Sequence, residues 1–325
     1  MTTKTMTHEL SAAAFDPASI DDETRQLNDL IEQTLAAFPA LHTRTDVAEI
    51  RREREEGKGP FLPLQLSPRA TVREIPGRGG PVKLRVFAHA EPRGVYLHIH
   101  GGGWTLGAAH HQDPMLVALA DACRITVVSV EYRLAPEHPY PAGPDDCETA
   151  AMWLLENARR ELGSDRLLIG GESAGAHLSV VTLLRLRKAS GSTGFSGANL
   201  MYGCYDLGFT PSVARWGERN LILSTPIIAW FTDHFVPAVL RSHPDVSPLH
   251  ADLRGLPPAL FSVGTMDPLV DDTLFMHARW LAAGNHAELA IFPGGIHAFN
   301  AFPTALARAA QAREIAFIDG VLAGG

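Results

Sequence analysis

The five residues Gly171-Glu172-Ser173-Ala174-Gly175 constrain this chain more than any other feature. An apolar run, 167–170, leads into them, and an apolar stretch of helical character, 174–186, leads away. A strand must turn sharply into a helix at Ser173, and flanking glycines let the backbone pass without a Cβ clash. Such a turn exposes the serine hydroxyl, and the helix N-terminus behind it favours developing negative charge. A G-x-S-x-G match is expected by chance about 0.1 times in a chain of this composition, and far less often at a strand-to-helix junction. The pattern points to a serine nucleophile on an α/β scaffold.

The flanking sequence is patterned accordingly. β-Branched runs at 95–99 and 125–130 read as buried parallel strands. Runs at 72–75 and 84–88 read as an antiparallel lead-in, and 259–263 and 289–292 as later strands. Helical patterns fill the gaps at 144–162, 173–188, 273–283 and 304–322. Another starts at Asp113-Pro114, read as N-cap and first helical residue, and runs through Cys123. This alternation predicts an α/β fold, with a mostly parallel central sheet and helices on both faces.

Two stretches stand outside the alternation. Residues 1–61 are helical: Asp21 can cap a segment with Leu27, Leu30, Ile31, Leu35 and Phe38 at helical spacing, and 46–56 is highly charged. Its alternating signs predict a solvated face laced with i,i+4 pairs. Residues 207–247 carry Phe209, Trp216, Trp230, Phe231 and Phe235 and read as an insertion above the sheet. The predicted division is a helical cap from 1–61 and 207–247, and a core from 62–206 and 248–325.

Composition narrows the function classes. The chain has 36 acids against 28 Lys and Arg, a net charge of −8, so a basic nucleic-acid surface is not expected,. Cys123, Cys147 and Cys204 are too few and too scattered for a disulfide framework or a structural zinc site. Residues 1–10 lack an apolar leader core, and no run is long enough to span a membrane, so a cytoplasmic protein is expected.

Three further segments carry chemistry. His100-Gly101-Gly102-Gly103-Trp104 follows a strand, and consecutive glycines can aim backbone N–H groups at one oxyanion. No Lys follows with P-loop spacing, so a phosphate cradle is disfavoured. Asp267 and His297 each sit just past a strand's C-terminal end, where sites form in such sheets. Asp267 is preferred to Asp271 and Asp272, which fall a turn further on, and His297 to His277 and His286. His98, His100, His110 and His111 are read as surface or packing residues, with no metal and no cofactor expected.

On these motifs the sequence resembles the hormone-sensitive-lipase-like branch of the α/β-hydrolases, the bacterial carboxylesterases. The resemblance rests on HGGGW at 100–104, EYRLAPEHPYPA at 131–142, GESAG at 171–175, DPLVDD at 267–272 and IHAF at 296–299. It implies an α/β-hydrolase fold with a helical cap, and a catalytic triad of Ser173, Asp267 and His297. It places the oxyanion donors on the N–H groups of Gly102, Gly103 and Ala174, with Gly101 shaping the turn. It implies that Tyr132, Arg133 and Glu137 brace that loop. Glu172 stands where many relatives carry Asp. Gly101, Trp104, Glu172, Trp216, Trp230 and Phe231 are expected beside the substrate, although the cap aromatics could equally form the cap's own small core.

The expected activity is hydrolysis of short- to medium-chain acyl esters, small molecules needing no cofactor. An amidase, lactonase or arylformamidase on the same scaffold is a rival within enzymes. A ligand-binding receptor is the rival of another class, and His297 argues against it. A sheet-edge strand such as 289–292 could pair across a homodimer.

Overall fold

The computed structural model describes residues 10–61 and 63–324. Residues 1–9, Leu62 and Gly325 fall outside it, and with them nearly all of the stretch tested for a leader. Two helices come first, α1 (Asp22–Ala36) and α2 (Val47–Glu55). Asp21 caps α1 as the sequence predicts, accepting Thr24 N–H at 2.7 Å, and Asp46 caps α2, accepting Glu49 N–H at 2.9 Å,. Strands β1 (Thr71–Ile75), β2 (Val82–Phe87) and β3 (Val95–Ile99) follow, then α3 (Asp113–Cys123), β4 (Thr126–Glu131) and α4 (Ala142–Leu162). Next come β5 (Leu167–Glu172), α5 (Ala174–Ser190) and β6 (Gly197–Met201). Two helices, α6 (Pro211–Trp216) and α7 (Thr225–Phe235), precede β7 (Ala259–Met266). The chain closes with α8 (Val270–Ala282), β8 (Ala287–Ile296) and α9 (Ala305–Ala323).

One eight-stranded sheet runs in the order β1-β2-β4-β3-β5-β6-β7-β8. β2 pairs antiparallel with β1 and β4, and every pair from β4 to β8 is parallel. β8 is an edge strand. Leu154 of α4, Leu183 of α5 and Trp280 of α8 bury against one face. Leu119 of α3 and Phe317 and Ile318 of α9 bury against the other. The sheet is therefore covered on both sides, as its apolar strands require. Among the described residues no helix is long and apolar enough to cross a membrane.

Three local expectations are corrected. β6, Gly-Ala-Asn-Leu-Met, was not anticipated: it has no β-branched residue, and pairing with β5 and β7 makes it a strand,. Asp113 is not an N-cap. Gln112 holds that position, and the Asp113 carboxylate accepts from Arg85 Nε and Ser67 N–H, each at 2.7 Å. The charges of α2 are only partly a solvated face: Glu49, Arg52 and Glu55 are exposed, but others bond across to distant segments. Arg51 reaches across to Glu137 and to the carbonyls of Thr105 and Ala135, while Arg54 lies over the Phe61 ring at 5.8 Å.

The tightest packing lies where β3 meets the β5–α5 turn. A Cβ on Gly171 would stand 2.0 Å from the Ile99 carbonyl oxygen, and one on Gly175 only 1.8 Å from it. Backbone cannot yield to that extent. Gly191, the C-cap of α5 at φ +79°, has open space instead. Gly175→Ala is therefore expected to abolish soluble folded protein, whereas Gly191→Ala costs about 1 kcal/mol of left-handed strain. Soluble yield and urea midpoints of the two variants check this.

Candidate active site

Ser173 sits between β5 and α5 at φ +56°, ψ −120°, a region L-residues rarely occupy,. Its N–H donates to the Met201 carbonyl at 2.9 Å, which ties the turn to the end of β6. His297 follows β8 directly, and its Nε2 lies 3.0 Å from Ser173 Oγ. Its Nδ1 lies 2.8 Å from Asp267 Oδ2. Asp267 follows β7, is fully buried, and its other oxygen accepts Leu269 N–H at 2.9 Å. Three residues from three strand ends thus form one hydrogen-bonded chain. The Tyr202 ring stands edge-on to the His297 ring at 4.7 Å, and its hydroxyl donates to Asn300 Oδ1.

Gly101 brings the glycine loop against this serine: a Cβ there would stand 2.8 Å from the Glu172 carbonyl oxygen and 3.4 Å from Ser173 Cβ. Gly102 and Gly103 both have positive φ, +115° and +59°. The loop then folds onto itself, with Leu106 N–H on the Gly102 carbonyl at 2.7 Å. Among the described residues no carbonyl or side chain accepts from the N–H of Gly102, Gly103 or Ala174. Ala174 follows Ser173 directly, and Gly102 and Gly103 follow Gly101, which packs against the serine turn.

The loop is braced from several sides. Tyr132 OH donates to the His100 carbonyl at 2.9 Å, and its ring stacks on His100 at 4.2 Å. Burial pushes the His100 ring down to about 3, so it stays neutral,. Arg51 donates to the Thr105 carbonyl at 2.9 Å while held by Glu137. Arg133 does not join this brace. It grips Asp146 of α4 through its backbone N–H and its guanidinium, at 2.8–2.9 Å. That gives the 144–147 segment a structural role the sequence did not suggest.

The other expected site residues divide. The Phe231 ring covers Gly103, where a Cβ would stand 2.2 Å from it, so this aromatic adjoins the glycine loop. Trp230 is buried in the core of the insertion, its Nε1 donating to the Arg44 carbonyl at 3.2 Å. Trp216 is half-buried among other residues and donates to the Arg219 carbonyl at 2.7 Å. Trp104 points into the packing, stacked on Phe235 at 4.7 Å. The Glu172 carboxylate faces His98 Nε2 at 3.1 Å, and His98 Nδ1 meets Ser129 Oγ at 2.9 Å. Trp104 and Glu172 thus bond or stack within the packing next to the glycine loop and Ser173, whereas the indole N–H groups of Trp216 and Trp230 are engaged by the Arg219 and Arg44 carbonyls. Asp272 also has a structural partner set: it accepts from Tyr205 N–H, Asp206 N–H and the Thr210 hydroxyl, anchoring the start of the insertion.

His177, one turn into α5, was not singled out from sequence. Its Nδ1 accepts the Trp104 indole N–H at 3.0 Å and its Nε2–H donates to the Val246 carbonyl at 2.7 Å. Both bonds demand the neutral Nε2–H tautomer, and burial lowers the ring to about 4,. One side chain therefore links the nucleophile helix, the glycine loop and the insertion. A histidine inside the largely apolar run 174–186 is the available signal.

Comparison with known proteins fits this geometry. A family model described as the alpha/beta hydrolase fold matches residues 96–301. A carboxylesterase NlhH of Mycobacterium tuberculosis is 34% identical over 301 residues, covering 88% of this chain and 92% of that one. The chain belongs to the hormone-sensitive-lipase-like carboxylesterase family of α/β-hydrolases. A hyperthermophilic esterase from Pyrobaculum calidifontis superposes with a TM-score of 0.81 at 30% identity, over 91% of this chain and 97% of that one. A hormone-sensitive lipase from a metagenome library gives a TM-score of 0.80 at 25% identity, over 93% and 99%.

His177→Ala leaves the Trp104 indole N–H and the Val246 carbonyl buried without partners, beside a cavity. Stability is expected to fall by about 3 kcal/mol. Urea denaturation of wild type and variant measures it, and a loss below about 1 kcal/mol contradicts the linking role.

Proposed function

We propose that this family member is a serine carboxylesterase acting on short- to medium-chain acyl esters through an acyl-enzyme on Ser173. The supporting observation is the continuous chain Ser173 Oγ–His297–Asp267 beside three unengaged N–H groups. His297 takes the hydroxyl proton as Ser173 attacks the ester carbonyl, so a C–O bond forms and the carbonyl electrons move to oxygen. The N–H groups of Gly102, Gly103 and Ala174 stabilise that oxyanion. As the intermediate collapses, His297 protonates the leaving alcohol. Water, deprotonated by His297, then attacks the acyl-enzyme and releases the acid. Asp267 holds the imidazole with its Nδ1 protonated and stabilises the imidazolium that forms.

Residues 1–61 and 207–247 act in this reading as a two-part cap on the 62–206 and 248–325 core. The two parts touch, through Arg219 and Glu32 at 2.9 Å and through Trp230 and the Arg44 carbonyl. Phe231 over Gly103 narrows the space beside the proposed oxyanion hole, which supports a preference for small acyl groups.

Turnover of p-nitrophenyl acetate, butyrate, octanoate and palmitate tests this reading. Acetate and butyrate esters are expected to be fastest and palmitate slowest. Ser173→Ala should lose at least about 10⁴-fold in kcat, and Asp267→Asn about 10³–10⁴-fold. Wild-type turnover by Ser173→Ala contradicts the mechanism.

A further inference from the structure

We propose that Glu55, His110 and His111 form a binding site for a divalent transition metal of the zinc class, joining α2 to the segment that runs from the glycine loop into α3. The histidine pair reads from sequence as surface or packing residues, because no H-E-x-x-H motif or carboxylate-rich cluster accompanies it,. Asp113, two residues on, is engaged by Arg85 and Ser67. The fold supplies a carboxylate from 55 residues away. His110 Nε2 lies 2.9 Å from Glu55 Oε2, and His111 Nε2 lies 2.7 Å from Glu55 Oε1. One ligand atom from each of the three lies within 4.8 Å of the others.

The two N···O separations are hydrogen-bond lengths, at or slightly below the spacing of ligand atoms on a shared cation. Zinc binds imidazole nitrogen and carboxylate oxygen at about 2.0–2.2 Å, so two ligand atoms on one ion stand about 2.9 Å apart at a right angle and about 3.3 Å apart in a tetrahedron. Small side-chain rotations suffice. The two rings approach at 4.7 Å and 81°, so their nitrogens converge on the carboxylate from different directions instead of stacking in parallel. Two imidazoles and a carboxylate are a borderline-soft set that suits zinc, nickel, cobalt or copper better than magnesium or calcium.

The surroundings are compatible. The Glu55 side chain is 45% exposed and that of His110 27%, which leaves a path for the ion and room for a water as fourth ligand. Glu131, whose carboxylate accepts Ala109 N–H at 2.8 Å, adds negative charge beside His110 and Glu55, while Arg54 opposes it. Binding replaces the two Nε2–H donors: each ring moves its proton to Nδ1 and bonds the metal through Nε2. The consequence is mechanical. A bound ion would fasten α2, which already holds the Thr105 carbonyl through Arg51, to residues 110–111 of the same segment.

Full-length protein stripped with a chelator and dialysed, then titrated with zinc chloride against a chromophoric zinc chelator, tests the site. One zinc per chain is expected, with affinity reduced at least tenfold in each of Glu55→Ala, His110→Gln and His111→Gln. All three variants retain Ser173, Asp267 and His297, so zinc bound at those residues stays constant across the set. At saturating zinc the wild-type Tm should rise by about 5 °C over its own zinc-free value. Each variant, measured against its own zinc-free Tm, should show no rise, which separates loss of the site from loss of stability. Equal zinc affinity in wild type and the three variants, or no stoichiometric binding by wild type, overturns the proposal.

Discussion

The carbonyl oxygen of Ile99 is the point on which this site depends. It lies so close to the β5–α5 turn that neither Gly171 nor Gly175 can carry a side chain. That contact sets the end of β3 against the end of β5. The glycine loop leaving β3 therefore starts beside Ser173, and Gly101 packs against the Glu172 carbonyl. A larger separation would leave the free N–H groups of Gly102 and Gly103 too far from any atom bonded to Ser173. The same packing holds Ser173 at positive φ, and the Met201 carbonyl secures its N–H. Strain at the serine is thus offset by backbone contacts from both neighbouring strands.

The helices outside the sheet do more than cover it. α1 and the residues before it reach the end of β8, which delivers His297: Asn28 Nδ2 donates to the Gly294 carbonyl at 2.9 Å, and a Cβ on Gly294 would meet the Ile20 side chain. α2 reaches the glycine loop through Arg51. The 207–247 insertion reaches it through Phe231 and reaches α5 through the Val246 carbonyl on His177. β8, the glycine loop and α5 are therefore each tied to an element remote in sequence. Positional precision in the site comes from these ties, because loops alone do not hold hydrogen-bond geometry.

The legible part of the sequence was the part governed by local backbone demands. Glycines flanking Ser173, the glycine run after β3, and a carboxylate and histidine at strand ends are all imposed within a few residues of where they act. The alternation of apolar strands and helices was legible for the same reason. What stayed hidden depends on distant partners. β6 has weak strand propensity and becomes a strand through β5 and β7,. Glu172 faces His98, 74 residues away, and His177 bonds Trp104, 73 residues away. The charges of α2 read as solvated because periodicity cannot show that Arg51 reaches the Thr105 and Ala135 carbonyls or that Glu55 meets His110 and His111. Among the aromatics, spacing could not separate Phe231, which adjoins the glycine loop, from Trp230, which is buried in the insertion.

The central claim is that Ser173 is a nucleophile activated by His297, and covalent capture tests it most directly. The protein is treated with a p-nitrophenyl alkylphosphonate, whose phosphorus a serine attacks with loss of p-nitrophenolate, and then digested for peptide mass mapping. The account predicts one phosphonyl group per chain, located on Ser173, with labelling slowed by at least about 10³-fold in His297→Gln. Label on another residue, or undiminished ester turnover after complete labelling of Ser173, would contradict it.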